Sequence, residues 1–126
     1  MDAPWLFPGR CTNVVDGDTI DVILDVGFHA TRTERLRILG VNAPELHGVT
    51  RVEGLAAKVF VQATVDGWQT TPAGVQIPWP LMVQTHRTDV FGRYLARVWP
   101  ASATGTDDPD LSALLLASGH AVPFIG

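Results

Sequence analysis

The sequence predicts a small β-barrel with helices, of the α+β class, and three observations carry that expectation. Five short apolar runs have the length and the two-residue period of strands. One run of helical period falls between the third and fourth of them, and a capped apolar run near the end supplies a short second helix. The length of 126 residues matches the commonest size of one domain, so a single domain over 1–126 is expected, its core at about 10–124. A chain this long buries roughly two-thirds of its unfolded surface and needs no metal or disulfide to fold.

Taken in order, Val14–Leu24 holds two apolar runs split by Asp16-Gly17, a strong hairpin signal. Ile20, Val22 and Leu24 share one face of the second strand. Ala30–Leu39 reads as a third strand, with Leu36 and Ile38 on one face and Arg35 and Arg37 on the other. From Glu53 to Asp66 the period changes to that of a helix. Leu55, Ala56, Val59, Phe60 and Ala63 form its predicted inner stripe, and Gly67 is its stop. Thr70–Pro80, with three prolines, is a linking loop. Leu81–Arg87 and Tyr94–Trp99 are two further strands, joined by the turn Thr88-Asp89-Val90-Phe91-Gly92. Ala101–Pro109 is a polar loop. Asp110 caps a last helix with Leu111, Leu114 and Leu115 inward and Gly119 closing it. This order is the plan of a five-stranded OB-fold Greek-key barrel with a helix between strands 3 and 4, a fold that often binds nucleic acid. Fold alone does not give function.

Composition narrows the classes. With 46% hydrophobic and 17% charged residues the chain is globular rather than disordered. A net charge of −4 argues against a protein that coats nucleic acid. Of the nine basic residues only Lys58 is lysine, and the arginines group at 32, 35 and 37 and at 87, 93 and 97. Arginine suits bidentate phosphate contacts, so the pattern points to one gripped phosphate rather than a basic surface. The single cysteine, Cys11, forms no internal disulfide and reads as a buried thiol in the first strand. MDAPWLFPGR has no basic leader region, and no apolar run is long enough to span a membrane. A cytoplasmic monomer is expected.

Three clusters carry candidate chemistry. Asp16-Gly17-Asp18-Thr19 is explained at Asp16 and Gly17 by turn geometry alone, whereas Asp18, just past the turn, is free to face a ligand. Arg35 through Pro44-Glu45 is either a strand with solvated arginines or a strand whose Arg37 works with an acid on a proline-stiffened loop. Phe91-Gly92-Arg93-Tyr94 alone is a hairpin glycine with an exposed arginine. Together they fit phosphodiester hydrolysis. Asp18 and Asn42 offer hard oxygen ligands suited to Ca2+. Arg37 and Arg93 can clamp phosphate oxygens, and Glu45 is the natural general base. The four histidines are scattered, which disfavours zinc.

In order and approximate spacing, Val15-Asp16-Gly17-Asp18-Thr19, Arg37 through Pro44-Glu45 and Asp89-Val90-Phe91-Gly92-Arg93 resemble the staphylococcal nuclease (thermonuclease) family. Leu111-Ser112-Ala113-Leu114-Leu115 and Ser118-Gly119-His120-Ala121 resemble its late helix and following strand. The resemblance implies an SNase-like OB-fold endonuclease or exonuclease that cleaves DNA and RNA with Ca2+ and leaves 3′-phosphate ends. It implies Arg37, Glu45 and Arg93 as catalytic residues, with Asp18, Asn42 and the Ala43 carbonyl as metal ligands. Asp16 matches an acid that acts near the metal through water. Asn42 stands where well-known members carry aspartate, so weaker calcium binding is expected. Near Phe124 and Ile125 no tyrosine matches those that pack on the nucleotide. A catalytically silent OB-fold module binding nucleic acid or a protein partner is the alternative, and a structural role on the same barrel is a third reading.

Overall fold

The computed structural model describes residues 5–124. Seven strands and two helices follow one another: β1 (Trp5–Asp16), β2 (Thr19–Gly27), β3 (Ala30–Ile38), β4 (Val41–Asn42), α1 (Arg51–Gln69), β5 (Leu81–Thr88), β6 (Tyr94–Pro100), α2 (Leu111–Ser118) and β7 (Val122–Pro123). A one-turn 3-10 helix, Gly48–Thr50, leads into α1. Five strands close a mixed barrel in the order β1-β2-β3-β6-β5, with β5 pairing back onto β1. Among the described residues only β3 and β6 run parallel.

Closure depends on β1, which is longer than the run starting at Val14 predicts. Its second half pairs with β2 and its first half, Trp5–Gly9, with β5. Gly9 sits at the changeover and pairs with both Leu24 and Leu81. A Cβ there would lie 3.0 Å from Leu24 Cδ2 and 3.2 Å from the Ile23 carbonyl oxygen, so the crossing tolerates no side chain without shifting. Inside the barrel, Ile20, Val22, Leu24, Leu36, Ile38, Leu81, Val83, Ala96 and Val98 interlock at the two-residue period of their strands. β3 ends at Ile38, one residue before its predicted end.

The inner stripe predicted for α1 is corrected. Leu55, Ala56, Val59 and Ala63 face solvent and Phe60 is half-buried, while Gly54, Ala57, Val61 and Val65 are buried against the barrel. The cause is close approach. A Cβ on Gly17 would come within 2.7 Å of the Ala57 Cβ, and one on Gly54 within 2.3 Å of the Glu45 carbonyl oxygen. Small residues at Gly54 and Ala57 let the start of the helix lie on the turn and loop beneath it, and Leu55 and Val59 point away.

At the other helix, Asp110 caps α2 by accepting the Ala113 N–H at 2.9 Å, and Gly119 closes it at φ 78°. Leu111 and Leu115 are buried as expected. Ser112 is also buried and donates to the Leu39 carbonyl at 2.8 Å, whereas Leu114 is half-buried. Arg97 Nε reaches the same Asp110 carboxylate at 2.7 Å and stacks over the fully buried Trp99. Cys11 is half-buried, and burial pushes its thiol up to about 11. Among the described residues no helix is long and apolar enough to cross a membrane.

Candidate active site

The β1–β2 turn is built by its own acids. Asp16 Oδ1 accepts the Asp18 N–H at 3.0 Å, which folds the turn and aims Asp18 inward. The Asp18 carboxylate then takes the Ala43 N–H at 2.9 Å on one oxygen and the Thr19 hydroxyl at 3.1 Å on the other. Arg37 Nη2 stands 3.5 Å away. Burial and the hydrogen bond with Asp16 raise the Asp18 pKa; the Ala43 N–H and the Arg37 charge oppose them without cancelling the rise.

Arg37 comes from the end of β3 and is nearly buried. Its Nη1 donates to the Ile38 and Val41 carbonyls at 3.1 and 2.8 Å, and its Nη2 donates to Asn42 Oδ1 at 3.1 Å. The guanidinium therefore fixes the bend between β3 and β4 as well as lining the cleft. Short β4 pairs with β7, and the Phe124 N–H donates to the Gly40 carbonyl at 2.9 Å. That pairing sets the Phe124 ring 5.6 Å from the Arg37 guanidinium.

Glu45 follows Pro44 on the loop out of β4. Its backbone carbonyl accepts the Thr50 hydroxyl at 2.9 Å and carries the close approach of Gly54. Its carboxylate is exposed and has no hydrogen bond or ion pair among the described residues, the state a general base needs. On the far wall, the β5–β6 turn is organised by Asp89, which accepts the Phe91 and Arg93 N–H groups at 2.9 and 3.0 Å. Arg93 pairs with the same carboxylate at 2.8 Å, lies over the Phe91 ring at 5.3 Å and sets Nη1 3.5 Å from the Thr19 hydroxyl. Desolvation pushes Asp89 up, but the Arg93 and Phe91 N–H groups and the Arg93 guanidinium outweigh it and hold it low.

These segments enclose an open cleft of about 680 Å³. All six predicted site residues, Asp18, Arg37, Asn42, Ala43, Glu45 and Arg93, line it, with Asp16 beside them. Arg32, Arg35 and Arg97 do not join them. Arg32 pairs with Glu34, Arg35 with Asp21 and Arg97 with Asp110. Arg87, Asp89, Phe91 and Phe124 also line the cleft. The fold brings in Phe124 through the β4–β7 pairing; Arg87 was legible only as one of a group of arginines near the turn.

The side-chain oxygens on this wall are all hard donors: the Asp16 and Asp18 carboxylates and the Asn42 amide oxygen, which already accepts from Arg37. This set suits Ca2+ in kind, though no group of three or more His, Cys, Asp or Glu side chains able to hold a metal occurs among the described residues. Ala43 shows its N–H, bonded to Asp18, on this wall. Four acids, Asp16, Asp18, Glu45 and Asp89, face three arginines, Arg37, Arg87 and Arg93. A dication would tip that balance toward binding an anion. Compared with known proteins, the chain matches no family model and no curated protein.

Proposed function

We propose that the chain is a calcium-dependent nuclease on an OB-type barrel, hydrolysing phosphodiester bonds of DNA or RNA. The observation that carries this reading is the convergence of a free carboxylate, Glu45, with Arg37 and Arg93 in one cleft, brought from three separate segments. Glu45 takes the proton of the attacking water. Arg37 and Arg93 hold the non-bridging phosphate oxygens and stabilise the charge that develops on them. Loss of one such donor costs on the order of 10²–10³ in rate. Asp18, Asn42 and the Ala43 carbonyl would hold Ca2+, which supplies charge neutralisation at the phosphate. Phe91 and Phe124, each beside an arginine, offer ring faces at the rim where a base can lie.

The second reading is a silent module that binds nucleic acid or a protein. It is favoured by Arg37, which spends three donor contacts on its own loop, and by Asn42, whose amide oxygen is already engaged. Cleavage of single-stranded DNA, with Ca2+ and with chelator, beside the Arg37→Ala/Glu45→Ala double variant separates the two. Calcium-dependent cleavage that the variant loses is the expected result. A folded wild-type protein inactive over a broad calcium and pH range leaves the binding module.

A further inference from the structure

Helix α1 carries its unusual surface on the side away from the barrel. Gly54, Ala57, Val61 and Val65 mark the buried side. At about 100° per residue, the centre of the opposite side falls at Val52, Val59 and Ala63, flanked by Leu55 and Ala56. Val52 is 77% exposed, Leu55 51% and Val59 59%, and Val49 just before the helix is 99% exposed. A surface helix ordinarily places charge there. These four side chains offer on the order of 400 Å² of apolar surface, the size at which a patch on a monomer marks an interaction site.

We propose that this face is the interface of a two-fold symmetric dimer of this chain, α1 packed antiparallel on α1 of a second copy. Charge placement selects the occupant and its direction. One border of the stripe carries Arg51 and Lys58 toward the amino end and Gln62 toward the carboxyl end, and Asp66 lies just inside that border, between the rows of Leu55 and Val59. Neither cation is ion-paired among the described residues, and the Asp66 carboxylate takes only the Gln62 amide, at 2.9 Å. A two-fold axis perpendicular to the helices lays this border beside the same border of the other copy, reversed in direction. Arg51 then meets Asp66 of the second copy twice over, and Val59 lies beside its own counterpart close to the axis. A parallel pair, with its two-fold axis along the helices, would lay this border beside the opposite one and leave Arg51 and Asp66 without each other. An anionic lipid surface would gain from the two cations and be repelled by Asp66, so the mixed border fits a protein partner of the same make better.

Two such patches with the bordering side-chain stems reach the lower end of specific interfaces, about 1,200 Å² in total, so association in the micromolar range is expected. This differs from the monomer expected from the sequence. It is independent of the nuclease reading, because its readout needs no activity. The interface would abut the segment that presents Glu45, since Val49 and Thr50 belong to the turn whose hydroxyl holds the Glu45 carbonyl.

The test is sedimentation velocity of the whole chain from micromolar to millimolar concentration, beside Val52→Glu/Val59→Glu. Wild type is expected to dimerise, and the double variant to stay monomeric with unchanged circular dichroism and melting temperature. Arg51→Asp and Asp66→Arg should each weaken the dimer several-fold, and the two combined should restore it. This exchange sits at exposed positions and carries the test if the glutamate variant does not fold. A wild type monomeric throughout, or a dimer indifferent to all these changes, overturns the proposal. So does a monomer that binds phosphatidylserine vesicles through Val52 and Val59, which would assign the face to a membrane.

Discussion

Glu45 is the residue on which the proposed chemistry can be most cleanly divided from binding. Its carboxylate holds nothing in place, so Glu45→Gln should remove most turnover, an effect of about 10²–10⁴-fold, while single-stranded DNA binding stays nearly intact. Full activity in that variant would remove Glu45 as the base. Asn42 has a different position, because its amide oxygen shares Arg37 with Asp18. Asn42→Asp adds the charge a hard cation prefers and should tighten calcium binding in a calorimetric titration. An unchanged or weaker affinity would mean that Asn42 is not a ligand. Cys11 gives a check on burial that is independent of the cleft. With its thiol raised to about 11, the thiolate fraction near neutral pH is roughly 100-fold below that of a free cysteine. Alkylation by iodoacetamide should be slow in the native protein and fast after denaturation.

Among the elements, the β2–β3 hairpin is the most open to improvement. Phe28 and His29 sit at φ 56° and 58°, a left-handed region that suits Asn-Gly far better, and Phe28 is fully exposed. Replacing the pair by Asn-Gly should stabilise the protein by about 1 kcal/mol, read by urea denaturation with an unchanged slope. A loss of stability would show that Phe28 has contacts the fold depends on. The Asp16-Gly17 hairpin, the α2 cap and the number of barrel strands were legible because each rests on local chemistry: Asp-Gly at a turn, Asp110 before an apolar run, alternation along β2 and β3; the Trp5–Gly9 half of β1 was not. The orientation of α1 was not. Periodicity finds an apolar stripe, and here Val52, Leu55 and Val59 lie on the outside while Gly54 and Ala57, followed by Val61 and Val65, mark the packed side. What decided between them is the distance of the helix from Gly17 and the Glu45 carbonyl, which no window of sequence contains. The site was legible as residue types in order. The grip of Arg37 on its own loop, and Phe124 at the rim, depend on β4 and β7, each two residues long.

At the scale of the whole molecule, acid should weaken the fold through two carboxylates. Asp21 is held below its ordinary pKa first by the Arg35 guanidinium, and Asp89 by the Arg93 and Phe91 groups that outweigh its desolvation. In each case the folded pKa lies below the unfolded one. The stability they contribute is therefore present above the unfolded value, about 3.9, and is lost as pH falls through the folded values. Melting temperature should drop below about pH 4, and less steeply in Asp21→Asn, measured by thermal scans across that range.

The strand that closes the barrel also sets the order in which the molecule can be made. The Trp5–Gly9 half of β1 pairs with Leu81–Thr85, so the earliest segment of the barrel has its partner 72 to 80 residues further along the chain. On a ribosome, β1, β2 and β3 can form a meander with α1 while two strand edges stay open. Neither edge is sealed until β5 and β6 have emerged, and loop-closure entropy makes such distant pairing slow. Birth of this barrel is thus a waiting problem: its first strand stays exposed, and prone to pair with the wrong neighbour, until the last two barrel strands arrive.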